Sequence, residues 1–441
     1  MRRTASASNI GQKIKKDSRE AGEMNETYDL IVVGGGIGGS ALAATMAKAG
    51  HRVLLLEKST VYEDHVRGEW IAPWGVAEVK RLGLYDLLVG SGGHHLAKHV
   101  SYDETRAPEA AEAEPLPLDM FVPGVPGPLC LGHPKHCQTL YDEALRAGAT
   151  GLRGVNVTKT EPGMKPRVEF VHDGQTRQAE AKLVIGADGR ASAVRAACGI
   201  ELHQDKPHHM FGGLLVEGAD GWDATKQAIG TEGDFAFLAF PQGGGRVRVY
   251  GNYSLNERRR FAGENGARDF LEAFRMKCAP ENKHLADAKP AGPLLSYFNN
   301  DSWTDAPFVQ GAVLVGDAAG WNDPINGLGL SITYRDVRMV SELLKENEEW
   351  GPALFKPYGE ERYERMRRLR FAGQLQATLD AEFGEEARER RRSYDERKAA
   401  NPALGAHAFA IMAGPETLPP EMFTEEHRAN VLGTRVKGEV E

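Results

Sequence analysis

Residues 28–50 read YDLIVVGGGIGGSALAATMAKAG. Tyr28 to Val33 is a short, continuously apolar run, the pattern of a strand buried on both faces. A glycine loop follows at once, and then an alanine-rich stretch with helical composition that closes at Gly50. Gly34, Gly36 and Gly39 stand in the spacing G-x-G-x-x-G. The first permits a tight turn, the second lets a pyrophosphate approach the backbone, and the third lets helix and strand pack closely. Ile37 and Gly38 complete the loop, so phosphates would sit on the helix N-terminus. RVLLLE, Arg52 to Glu57, is a second buried strand. Its terminal carboxylate is placed to accept both hydroxyls of an adenosine ribose and disfavours a 2′-phosphate. The reading is of a dinucleotide with a free adenosine ribose, such as FAD or NAD.

Two later segments repeat the buried-strand character and run into glycine turns: KLVIGAD (Lys182 to Asp188) and GAVLVGD (Gly311 to Asp317). Between them, residues 208–300 change to alternation. In DFAFLAF-PQGGG-RVRVY, two strand-like runs meet at a glycine turn, with Arg246, Arg248 and Tyr250 on one face and Val247 and Val249 on the other. The expected fold is α/β: a Rossmann-like dinucleotide domain with an inserted antiparallel sheet and a helical C-terminal region. The expected segments are a disordered tail over 1–24, the first part of the dinucleotide domain over 25–207, and the substrate domain over 208–300. The rest of the dinucleotide domain follows over 301–345 and the helical region over 346–441. The charged runs GEERYERMRRLRF and EEARERRRSYDERK read as a solvated helix face or, alternatively, a subunit contact.

The 441 residues carry 54 Lys and Arg against 62 Asp and Glu, a net charge of −8 without a basic block, which argues against nucleic acid as a partner. Glycine, at 51 residues, exceeds the usual share of about 7% without a collagen period, pointing to tight turns and close backbone approach. No apolar run reaches the ~18 residues of a membrane span. The tail carries Arg and Ser, but Asp17, Glu20 and Glu23 weaken a targeting reading, so a cytoplasmic location is expected. Cys130, Cys137, Cys198 and Cys278 form no C-x-x-C pair and no zinc spacing, so neither a metal centre nor disulfide chemistry is expected. The oligomeric state stays open.

The glycine loop, IGADGRASAVR (Ile185 to Arg195) and LVGDAAGWNDPINGLG (Leu314 to Gly329) occur in that order. The combination resembles the FAD-dependent monooxygenases of the para-hydroxybenzoate hydroxylase type, over residues 28 to 345. The resemblance implies FAD as cofactor, NADH or NADPH as a transient co-substrate, and O₂. The reaction it implies is hydroxylation of an electron-rich, aromatic small molecule through a C4a-hydroperoxyflavin. It further implies that Asp317 binds the ribityl chain and that Pro324, Gly327, Leu328 and Gly329 wrap the isoalloxazine edge. Asp188 and Gly189 would serve FAD phosphates and the nicotinamide. Lys58 and position 156 (Asn156) would also belong to the cofactor site. Arg67 would reach FAD, or else is a surface arginine; His133 would contact FAD, or else is a satisfied structural histidine.

Arg248 and Tyr250 offer a cation and a phenol suited to an acidic or phenolic substrate, or else a solvated sheet face. Trp70 and Trp74 are core or pocket wall. Where relatives carry His and Asn, Gly320 and Ser331 stand here. GDAAG is similar to flavin halogenases and prenyl reductases, although no W-x-W-x-I-P string occurs. These two oxidoreductases, and a non-enzymatic binding protein such as the GDP-dissociation inhibitors, are the alternatives.

Overall fold

The computed structural model describes residues 26–66 and 68–434; the expected tail and Arg67 lie outside the described residues. The first strand, Glu26–Val33, sits at the middle of the main sheet. It pairs in parallel with Val53–Glu57 on one side and with Gln175–Gly186 on the other. Thr150–Arg153 continues the sheet beyond the former, and Ala312–Leu314 beyond the latter. Every fingerprint therefore leaves the carboxyl end of a neighbouring parallel strand, where open α/β sheets bind ligands.

Burial follows the two-residue strand period. Leu30, Val32, Leu55, Ile185 and Val313 pack under the helices that carry Leu42, Leu140 and Tyr334. Ile31, Val33, Leu54, Val184 and Leu314 pack on the opposite face against Val168 and Phe170. Both faces are covered, which is why these strands read as unbroken apolar runs.

The second sheet is mostly antiparallel: His209–Glu217, Arg246–Tyr253, Phe235–Gly243 and Lys226–Glu232 lie side by side. It also takes in Lys98–Asp103, in parallel, and Leu116–Pro117, both from the stretch assigned by sequence to the dinucleotide domain. Those strands are short, and nothing local marks which sheet they join. Val247 and Val249 bury against Phe270 and Phe274 on the outer side. Phe211, Leu238 and Tyr250 cluster on the inner side, facing the dinucleotide domain.

The C-terminal helices Lys356–Asp380 and Glu385–Ala400 keep a solvated face, with Glu360, Glu386, Arg392 and Glu396 exposed, but they are also held by buried arginines that the reading of the charged runs did not anticipate. Arg362, Arg365 and Arg391 are all buried. Each finds a carboxylate inside the protein: Arg362 and Arg365 meet Asp336 at 3.0 and 2.7 Å, and Arg391 meets Asp103 at 2.6 Å. No described helix is long and apolar enough to cross a membrane.

Candidate functional site

Gly34 turns the chain out of the first strand at φ +101°, and a Cβ there would stand 2.4 Å from the Ala187 carbonyl oxygen. The turn leads into the helix Ile37–Lys48. The Cβ positions of Gly38 and Gly39 are likewise blocked, by Thr333 and by the Gly34 carbonyl. Gly36 differs. Its φ is −69° and a Cβ would meet nothing within 4 Å, so neither backbone strain nor protein packing demands a glycine. Gly329, first residue of the helix Gly329–Glu346, shows the same open space and lines the cavity. Glycines that face open space fit a ligand lying against the backbone.

Glu57 is buried, and its two carboxylate oxygens accept hydrogen bonds from the backbone N–H of Gly35 and of Ser59, each at 2.6 Å. Lys58 is exposed. Asn156 is an exposed residue of a hairpin strand; the neighbouring Val155 is the buried one, its N–H donating to the Glu57 carbonyl at 3.0 Å.

A cavity of about 270 Å³ opens beside the glycine loop. Ile37, Gly38, Gly189, Asp317, Pro324, Gly327 and Gly329 line it from the dinucleotide domain. Phe211, Leu238, Phe240 and Tyr250 line it from the second sheet. Asp317 accepts from Arg190 Nε at 3.3 Å, and the same guanidinium lies 5.1 Å from the centre of the Trp321 ring. Asp188 does not line the cavity. It caps the short helix Ala193–Ala197 instead, accepting from Ser192 Oγ at 2.6 Å and from Ala193 N–H at 2.7 Å. His133 begins the helix His133–Arg146 and lines the cavity. Leu328 is buried at the start of the helix Gly329–Glu346.

The two tryptophans separate. Trp70 lines the cavity, its Nε1 donating to Gln227 at 2.9 Å. Trp74 lies in the core, bonded to the Ile411 carbonyl at 3.1 Å and covered by the Arg335 guanidinium. Arg248 and Tyr250 are buried, so the sheet face is not solvated at these two positions, while Arg246 at its end is exposed. The Arg248 guanidinium is taken up by Glu69 and Asp64 rather than presented to the cavity.

Packing accounts for the unusual residues of the third fingerprint. A Cβ at Gly320, where φ is +111°, would stand 2.7 Å from the Ser302 carbonyl oxygen, so a histidine has no room. Ser331 Oγ accepts from Ala72 N–H at 3.0 Å. Sequence reading missed Glu69, Asp336 and Arg362. It also missed Asp205, His208 and Asp301, whose ligand-type atoms gather within 4.8 Å of one another. There the Gln374 amide already donates to Asp205 and Asp301, at 3.0 and 3.1 Å.

The family described as FAD binding domain matches residues 27–371, and the chain belongs to it. FAD is its cofactor, as the three fingerprints indicated. The chain is 25% identical over 331 residues to squalene epoxidase 2, mitochondrial, of Arabidopsis thaliana, covering 73% of this chain and 55% of that protein. It thus spans little more than half the length of that relative. It is 30% identical over 328 residues to digeranylgeranylglycerophospholipid reductase 1 of Methanococcoides burtonii, covering 70% and 72%. Its fold is similar to the crystal structure of p-nitrophenol 4-monooxygenase PnpA from Pseudomonas putida. The TM-score is 0.71 at 18% identity, over 92% of this chain and 99% of that one.

Proposed function

We propose that the protein is an FAD-dependent monooxygenase that takes electrons from NADH or NADPH and transfers one atom of O₂ to an electron-rich, aromatic small molecule. The observation that carries this reading is the shared cavity: fingerprint residues form one wall and an apolar sheet face the other. Cofactor and substrate would meet in one compartment from which the sheet excludes water.

In this reading the backbone of Gly34 to Gly39 and the Glu57 carboxylate bind the adenosine diphosphate half, with Gly36 giving the closest approach. Asp317 accepts from the ribityl hydroxyls, and Arg190, already 3.3 Å from it, balances its charge. Pro324 and Gly327 to Gly329 border the ring. The helix that starts at Gly329 directs its positive end there, which favours the negative charge of a reduced flavin. Bound in this place, FAD would supply the electron transfer and the activation of O₂. The chain's own residues orient the substrate against Phe211, Leu238 and Phe240. The four cysteines are unpaired, in keeping with a reducing cytoplasm.

A second reading, a prenyl-reductase-like oxidoreductase, is favoured by GDAAG and by the 30% identity to the archaeal reductase. Oxygen uptake separates the two. A monooxygenase consumes O₂ with its NAD(P)H and yields a product heavier by one oxygen atom, without an added reductase. A product that gains only hydrogen and consumes no O₂ would establish the second reading.

A further inference from the structure

Glu69 and Tyr250 both line the cavity, and Arg248, which does not line it, bonds to Glu69. Arg248 Nε donates to one Glu69 oxygen at 2.5 Å and Nη2 to the other at 2.8 Å. Nη2 also donates to Asp64 at 2.6 Å, and the Tyr250 hydroxyl donates to Glu69 at 3.4 Å. One guanidinium therefore serves two carboxylates, and among the described residues a negative charge is left unmatched. Glu69 and Arg248 are poorly screened, being 3% and 0% exposed, while Asp64 is partly exposed. Among the other described groups on the cavity wall, Arg190 and Asp317 pair with each other, and His133 adds charge only when protonated. Burial pushes the Glu69 carboxyl up from the usual carboxylate range, against the pull of Arg248.

We propose that this unmatched carboxylate sets the substrate class. The cavity takes an apolar body bearing a hydrogen-bond donor without negative charge, a phenol, alcohol or amine, and it excludes carboxylates. The proposal rests on the monooxygenase reading. By strand alternation alone Arg248 with Tyr250 suited an acidic or phenolic substrate, but Arg248 Nε and Nη2 are taken by Glu69 and Asp64, and only the buried Nη1 has no partner among the described residues. An incoming carboxylate would stand beside a like charge in a dry site. A hydroxyl or ammonium group would instead donate to Glu69, or to the Tyr250 oxygen, while Val66, Trp70, Phe211, Leu238 and Phe240 receive the apolar body.

The test uses oxidised holoenzyme near neutral pH without nicotinamide. It is titrated with 2-naphthol, 2-naphthylmethylamine and 2-naphthoate, reading the perturbation of the flavin absorbance. The naphthol and the amine should bind at least about tenfold more tightly than the naphthoate. Glu69→Gln should narrow that gap to about threefold or less with FAD content unchanged. Should that variant fail to fold, Asp64→Asn removes the excess charge, leaves the Glu69–Arg248 pair in place and should narrow the gap likewise. Naphthoate binding as tightly as naphthol to the unaltered protein, a gap unchanged in a folded variant, or no binding of any probe would overturn the proposal. Flavin reduction by NAD(P)H and oxygen uptake are read in separate assays, so the monooxygenase reading can fail while the charge rule stands, and the reverse.

Discussion

Glu57 holds the glycine loop by its side chain, through Gly35 N–H, so the carboxylate proposed to take the ribose also shapes the turn. Glu57→Ala should weaken FAD binding by about 1.5–3 kcal/mol, the worth of a charged hydrogen-bond partner. The check is titration of apoprotein with FAD, followed by flavin fluorescence; an unchanged Kd would remove Glu57 from the site. Asp301 makes a different prediction. Burial, then the charges of Asp323 and Asp205, push its pKa up to about 7. The unfolded value is near 4, so the folded protein holds this proton more tightly than the unfolded chain does. That contribution is complete below about pH 4 and is lost as pH rises through about 7. Asp301→Asn removes the titration. Between pH 4 and pH 8 the unaltered protein should lose on the order of 3 kcal/mol relative to the variant, measured as urea midpoints; parallel pH profiles would contradict this.

At the scale of elements, the helix Lys356–Asp380 fastens the third fingerprint. Arg362 donates to the carbonyls of Ala319, Gly316 and Gly320 at 2.8, 3.1 and 3.0 Å. It also meets Asp336, whose carboxylate accepts the Gly316 N–H at 2.9 Å. Arg362→Leu should destabilise the protein by about 3–5 kcal/mol, since a buried charge loses a partner and carbonyls lose their donors. Arg362→Lys keeps the charge but not the fork that reaches several oxygens. Both variants should release FAD at lower urea than the unaltered protein does; identical release curves would show that the turn stands without this helix. The glycine loop was legible because strand, turn and helix follow one another within about 25 residues and each signal is local. Arg362 was not, because its partners are gathered from other elements and its own segment has the composition of a surface helix. The same distance hid Glu69, which is 179 residues from Arg248 and meets it only through the fold. Alternation placed Arg248 and Tyr250 on one strand face, but not which groups would face them.

For the whole molecule, the decisive feature is that two sheets of different construction close on one cavity. The parallel sheet sends its fingerprint turns to one side, and the antiparallel sheet lays Phe211, Leu238, Phe240 and Tyr250 opposite them. The C-terminal helices bind both lobes, through Arg362 and Arg365 to Asp336, and through Arg391 to Asp103. Such an enclosure makes sense for a cofactor and substrate that react with each other away from water. The most direct test is to mix the purified yellow protein with NADH or NADPH in air, with a neutral naphthol-class compound present or absent, and record oxygen uptake with product mass. FAD should be bound one per chain, oxygen uptake should be accelerated by the compound without an added reductase, and the product should carry one more oxygen atom. Flavin that neither nicotinamide reduces, or oxygen uptake with no oxygenated product, would contradict this.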